Sequence, residues 1–110
     1  RGSASILMVR TTEISGNQRQ LTALRVFRGD SEERYNLTVP CVGAAIEDGV
    51  IYAFSEDRLY YTRMPSKQFS AELLPLPEDK RVASLIGITS GRRAIVACTD
   101  GTVYSITLPK

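Results

Sequence analysis

Apolar residues in this chain come in short runs cut by Gly, Asp, Ser and Pro, the pattern of β-strands joined by tight turns. The densest stretch, Val82–Leu108, reads as three strands cut at Ser90-Gly91 and at Asp100-Gly101. Ala94–Cys98 is apolar at every position, which predicts burial of both its faces. Asp100-Gly101 between two such runs is a hairpin signal, because Gly tolerates the positive φ that the turn demands. From the beginning of the chain, strands are expected at Ser5–Arg10, Gln20–Phe27 and Arg34–Val39. Four more follow at Cys41–Ile46, Val50–Phe54, Arg58–Met64 and Phe69–Leu76. Pro75 and Pro77 suit the last of these to a sheet edge, since proline cannot donate to a ladder. No stretch reads as a helix. The expectation is about ten strands, grouped three, four and three.

A shift of 44 residues lays Val39–Pro65 over Ala83–Pro109, with Gly43 on Gly87, Ile51 on Ile95, Ala53 on Ala97 and Tyr60 on Tyr104. A repeat of that period, holding several strands, belongs to the propeller class. The expected fold is therefore all-β: a segment of a β-propeller, about two and a half four-stranded antiparallel blades. Residues 4–38 would form a partial blade, 39–80 a full one and 81–110 another partial one, with Arg1-Gly2-Ser3 set aside as a cloning remnant. The competing architecture is a small closed barrel or sandwich.

The residues that carry a resemblance are Val82–Ile88, Ser90-Gly91-Arg92, Ala94–Cys98 and Asp100-Gly101-Thr102-Val103-Tyr104 with the strand that follows. They resemble a degenerate WD40 repeat. The Trp-Asp pair of that family would fall on Ile106-Thr107 and on Thr62-Arg63, and no histidine is present for its Gly-His element. The Ser90–Tyr104 piece is also similar to an RCC1-type repeat. Both resemblances imply a propeller that binds other proteins. The WD40 departures imply a blade held by packing of its apolar runs rather than by the polar network of regular blades.

Composition narrows the chemistry. The 110 residues are 43% apolar and 24% charged, with a formal charge of +2, too small by itself for a nucleic-acid or membrane field. No apolar run approaches the roughly 18 residues of a spanning helix, and no membrane role is expected. The absence of histidine removes the usual general base, Ser-His triads and most zinc sites. Glu47-Asp48 and Glu56-Asp57 fall in turns, where carboxylates are ordinary solvated residues. Arg28-Gly29-Asp30 is an integrin-type tripeptide of a kind common by chance, and no phosphate loop occurs. No enzyme activity, metal or cofactor is expected. Cys41 and Cys98 each lie in an apolar run and read as buried thiols, which suits a reducing, intracellular setting, cytoplasmic or nuclear.

A partial ring exposes the flanks of its first and last blades, and exposed apolar patches usually mark partner surfaces. The expected function is a non-catalytic scaffold for protein assembly, a propeller segment completed by another chain or by self-association. The candidate contacts are Ile6 and Met8 on one flank, Val103 and Ile106 on the other, and a basic, aromatic surface of Arg58, Tyr60, Tyr61, Arg63, Arg92 and Arg93. The alternative is a nucleic-acid-binding β-domain that uses Arg19, Arg25, Arg58, Arg63, Arg92 and Arg93.

Overall fold

The computed structural model describes residues 6–15, 18–28, 30–64, 66–89 and 91–109. Among them are ten strands and no helix. They are β1 (Ile6–Ser15), β2 (Gln18–Arg28), β3 (Ser31–Cys41), β4 (Gly43–Glu47), β5 (Val50–Phe54), β6 (Arg58–Arg63), β7 (Ser70–Leu73), β8 (Val82–Thr89), β9 (Arg93–Cys98) and β10 (Val103–Thr107). Every strand pairs with its neighbour in sequence, in antiparallel sheets of order β1-β2-β3, β4-β5-β6-β7 and β10-β9-β8. The grouping of three, four and three is the expected one. The first three strands run longer than their apolar cores, because a two-residue connection lets the ladder continue through Thr, Gln and Arg positions. β1 thus reaches Ser15, paired with Gln18. Cys41, expected to open the fourth strand, closes the third.

The chain divides into two compact units, Arg1–Pro40 and Cys41–Lys110. In the first, β2 is the central strand, and β1 carries an irregularity between Thr11 and Thr12. Ala23, Leu24, Val26 and Tyr35 are buried, and the Tyr35 hydroxyl donates to Glu33 at 2.7 Å. The tripeptide at Arg28-Gly29-Asp30 lies partly outside the described residues, as do Arg1-Gly2-Ser3.

In the second unit two sheets pack face to face. Strand alternation sends Val50, Tyr52 and Phe54 of β5 to one side, with Leu59 and Tyr61 opposite them on β6. They meet Val82 of β8, Ala94 and Val96 of β9, Ile106 of β10 and Leu108 in one core. The two first strands, β4 and β8, run side by side in the same direction. At one end the turn after β8 reaches the turn after β4, through Arg92 and Asp48. At the other end the Val82 amide donates to the Glu56 carbonyl at 2.8 Å. The strands touch at Gly43, where an added Cβ would lie 2.7 Å from the Leu85 Cβ, so only glycine fits there.

The repeat is present as two meanders but not in the expected register. In a stack whose first strands are parallel, repeat-equivalent side chains should point the same way. Tyr52 and Val96, which are 44 apart, instead both belong to the one core between the sheets. The shift arises at the second hairpin. Ser55 closes on Arg58 in the first meander and Cys98 on Thr102 in the second, one residue more. Tyr60 pairs with Ala53, and Tyr104 with Val96, so the third strands keep the offset of 44 (104 − 60) while the middle strands fall to 43 (96 − 53). One residue of slip reverses every side chain of a strand. β8 departs further, with irregularities between Val82 and Ser84 and between Leu85 and Gly87, so Gly43 does not correspond to Gly87.

Burial follows from this arrangement. All five residues of β5 are buried, as its run of apolar residues predicts. β9 departs from the expectation: Ala94, Val96 and Cys98 are buried, while Ile95 and Ala97 on the other face are only half-buried. A run apolar at every position reports burial of both faces only where both faces are covered.

Both cysteines are buried thiols, neither in a disulfide. Burial pushes the Cys41 thiol up to about 12 from an ordinary value near 9. With the folded value raised, its contribution to stability is full below pH 9 and is lost as pH climbs toward 12. Thiolate is the reactive form, so an aromatic disulfide reagent at pH 8 should label the folded protein roughly tenfold or more slowly than the protein in denaturant. Equal rates in the two conditions would contradict the buried placement of the thiols.

Candidate interaction surface

The sequence-derived candidates separate into three places. Ile6 and Met8 lie on β1, at register positions opposite Arg28 and Val26; their side chains lie outside the described residues. Arg58 is exposed at the turn after β5, 4.0 Å from the Asp57 carboxylate. Tyr60 and Tyr61 point to opposite faces of their sheet. Tyr61 stacks on Tyr52, ring centroids 6.4 Å apart, and donates its hydroxyl to Glu72 at 2.9 Å.

At the other end of the second unit, Arg63 and Arg92 converge on one turn. Arg63 donates to the Asp48 carbonyl at 3.1 Å. Arg92 spans three groups: Nη1 to the Asp48 carboxylate at 3.1 Å, and Nη2 to the Tyr52 hydroxyl at 2.6 Å and the Pro109 carbonyl at 3.0 Å. The Tyr52 hydroxyl itself donates to Pro109 at 2.7 Å. Burial raises the Tyr52 pKa, and the Arg92 cation opposes the rise. The Arg92 Nε is buried with no hydrogen-bond partner among the described residues. Asp48 and Arg92 both adopt positive φ, 52° and 60°. The turn after β8 thus holds Arg92 in the left-handed region that favours glycine, and the bonds of its inward-directed guanidinium offset the backbone strain. The sheets are therefore tied by a polar cluster as well as by apolar packing, a departure from the expectation of packing alone. Arg92, a candidate for partner contact, is engaged inside the chain. Asp48 and Tyr52 were not picked out by the sequence, because the cluster joins three segments distant along the chain.

The second sheet carries the open surface. β10 is an edge strand whose other neighbour is β9. Its even-numbered residues bond inward: the Cys98 amide donates to the Thr102 carbonyl at 2.8 Å, and the Leu108 amide to the Arg92 carbonyl at 2.9 Å. Because bonded pairs alternate along an antiparallel ladder, the N–H and C=O groups of Val103, Ser105 and Thr107 face outward along the free edge. These three side chains are exposed, on the face away from the core, with Val103 57% accessible. Arg93 is on the same face and donates to Ser105 at 3.3 Å. Ile86, left out of the ladder between Leu85 and Gly87, is 61% accessible and has no counterpart among the sequence-derived candidates. Ile106, expected at a partner surface, is a core residue at 4% exposure, because it sits one position out of phase with Val103 and Ser105.

Two further features lie near the opposite end. Lys80 and Asp100 form an ion pair that ties the loop before β8 to the turn after β9; the pair lowers the Asp100 carboxyl pKa and raises that of Lys80. A groove of about 220 Å³ is lined by Leu73, Leu74, Leu76, Pro77 and the charged Asp57, Glu78, Lys80 and Arg81. Among the described residues no group of three His, Cys, Asp or Glu side chains is placed to hold a metal, and no helix is long and apolar enough to cross a membrane. No protein-family model, no curated protein and no solved structure matches this chain.

Proposed function

We propose that this chain is a segment of a WD40-like β-propeller that serves as a non-catalytic, intracellular scaffold for protein assembly, completed by further polypeptide. The observation that carries this reading is the stacking of two antiparallel meanders with parallel first strands in contact. A blade succeeds a blade in that way around a propeller axis. In the second of them Ile86 and Val103 are exposed large apolar side chains. Leaving apolar area wet forgoes ~25 cal/mol for each Å².

Four of the six arginines named for nucleic-acid binding support that alternative poorly. Arg25 is held by Glu32 at 2.6 Å, Arg92 lies within the sheet-to-sheet cluster, and Arg63 and Arg93 bond to groups of the chain itself. Pull-down from a matched extract at rising salt separates the two readings. Capture that persists from low to high salt supports an apolar protein interface, whereas a steep loss indicates phosphate contacts. Val103→Asp or Ile86→Asp should reduce capture roughly tenfold or more, with Arg58→Ala close to wild type. Equal capture by all three variants would overturn the assignment of this surface.

A further inference from the structure

An arginine stands three residues before a serine or threonine four times in this chain, at Arg19 and Thr22, Arg28 and Ser31, Arg63 and Ser66, and Arg81 and Ser84. Protein kinases with a carboxylate-lined substrate groove read that spacing, because a guanidinium pairs with carboxylates in two-pronged geometry. A spacing so short arises often by chance, and it gains weight only from its structural context. The fold separates the four. Thr22, Ser31 and Ser84 stand in strands β2, β3 and β8. Ser66 lies outside any strand, among the residues 64–69 that join β6 to β7.

A kinase must draw its substrate into an extended form across its own cleft, so the cost of freeing the serine decides which site is used. Ser66, Lys67 and Gln68 are all exposed. The Ser66 amide donates to the Arg63 carbonyl at 3.0 Å, the Thr62 hydroxyl donates to the Ser66 carbonyl at 3.1 Å, and the Gln68 amide donates to the Ser66 Oγ at 3.3 Å. Lifting Ser66 out breaks these turn contacts and no ladder pair. Ser84 is exposed too, but its backbone is paired with Ala97, so β8 must come away from β9 to free it. The two arginines differ likewise. Arg63 is exposed and donates to the neutral Asp48 carbonyl, whereas Arg81 donates to the Glu78 and Lys80 carbonyls at 2.8 Å each. Ser66 also lines a groove of about 260 Å³ together with Arg63, Gln68 and Ser70, which gives a phosphate both room and a cation.

We infer that Ser66 is a phosphorylation site for an arginine-directed protein kinase, with Arg63 first the residue the kinase reads and then the partner of the phosphate. In the transfer the Ser66 Oγ attacks the γ-phosphorus of a nucleoside triphosphate. The new O–P bond forms as the bond to the bridging oxygen breaks, the hydroxyl proton passes to the catalytic aspartate of the kinase, and the nucleoside diphosphate leaves. The product carries a charge of about −1.5 to −2 at neutral pH and three strong acceptor oxygens. Arg63 then exchanges the Asp48 carbonyl for a charge-assisted bond, which ties the 64–69 connection to the end of β6. This goes beyond the scaffold reading and stands without it.

The folded chain, incubated with ATP and the catalytic subunit of cyclic-AMP-dependent protein kinase, should take phosphate on Ser66 roughly tenfold or more faster than on Ser84, as mapped by mass spectrometry. Two synthetic peptides covering residues 60–70 and 78–88 should lose that preference, because neither serine is then held by a fold. Arg63→Ala should slow transfer to Ser66 roughly tenfold. Loosening of the turn by this change would speed transfer, so a fall reports recognition of the arginine. In phosphorus NMR the phosphate of the folded chain should ionise about 0.5 pH unit or more below that of the tryptic fragment beginning at Met64, which lacks Arg63. The site is overturned by a folded chain that takes no phosphate at Ser66, or takes it as fast at Ser84. It is equally overturned by a preference for Ser66 that persists in the peptides, or by an Arg63→Ala chain labelled at the wild-type rate. Equal ionisation in chain and fragment would refute the pairing of the phosphate with Arg63.

Discussion

Truncating Phe54 to alanine is expected to lower the stability of the protein by ~3–5 kcal/mol, the range found for large aromatic side chains removed from closed cores. Phe54 has no exposed surface, and it stands between Gly43 and Leu59 in register, in the core between the two sheets. Gly43 has no side chain to move into the space, and the Leu85 backbone already touches that strand, so the cavity cannot collapse from that side. Against a total stability of ~5–15 kcal/mol the loss is severe, and urea denaturation should show a much lower midpoint or no folded baseline. Leu73→Ala, at a side chain 66% exposed, should move the midpoint by no more than ~0.5 kcal/mol. Similar losses at the two positions would mean that the sheets do not pack through the Val50, Tyr52 and Phe54 face.

The second large effect is expected at Arg92. Arg92→Met keeps much of the side-chain bulk and removes the charge-assisted bonds to Asp48, Tyr52 and Pro109. About 2–3 kcal/mol of stability should go with them, since bonds to charged groups are individually worth more than neutral ones. Arg92→Gly loses the same bonds but takes the positive φ without strain, so it should recover about 1 kcal/mol of that loss. Denaturation of the pair separates backbone from side chain. If glycine proved no better than methionine, the left-handed backbone would not be a cost, and if both matched wild type the cluster would not hold the sheets together. Tyr52 adds a pH signature. Its folded pKa is raised, so its contribution is full below the ordinary tyrosine range and declines as pH climbs through the folded value.

How much of this could be read from the residues depended on how local each feature is. The hairpins announced themselves: Asp48-Gly49 and Asp100-Gly101 mark tight turns, and Gly49 and Gly101 take φ of 80° and 92°. The grouping of strands followed from the proline-bearing loop after β7. Register did not follow, because the extra residue between Cys98 and Thr102 changes which face each side chain takes without changing the apolar run. Ile106 and Val103 were grouped as one flank although they stand three positions apart on one strand, where alternation sends them to opposite faces. The Arg92 cluster was beyond reach, since it needs the turns after β4 and β8 and the residues after β10 brought to one place. Ile86 is exposed through a ladder irregularity that no local signal marks.

The exclusive pairing of strands with their neighbours in sequence also sets an order of events during synthesis. Each hairpin can close within microseconds of its residues being available, with no distant segment to wait for. Docking of the sheets is different. The face bearing Tyr52 and Phe54 is covered only when Ile106 and Leu108 have been made, 54 residues after Phe54 (108 − 54). At ~5–20 residues per second a ribosome needs roughly 3–11 s to add them. Through that interval the nascent chain carries an uncovered aromatic face, on a sheet that gains its fourth strand once Leu73 has been made, a substrate for chaperones that bind exposed apolar surface.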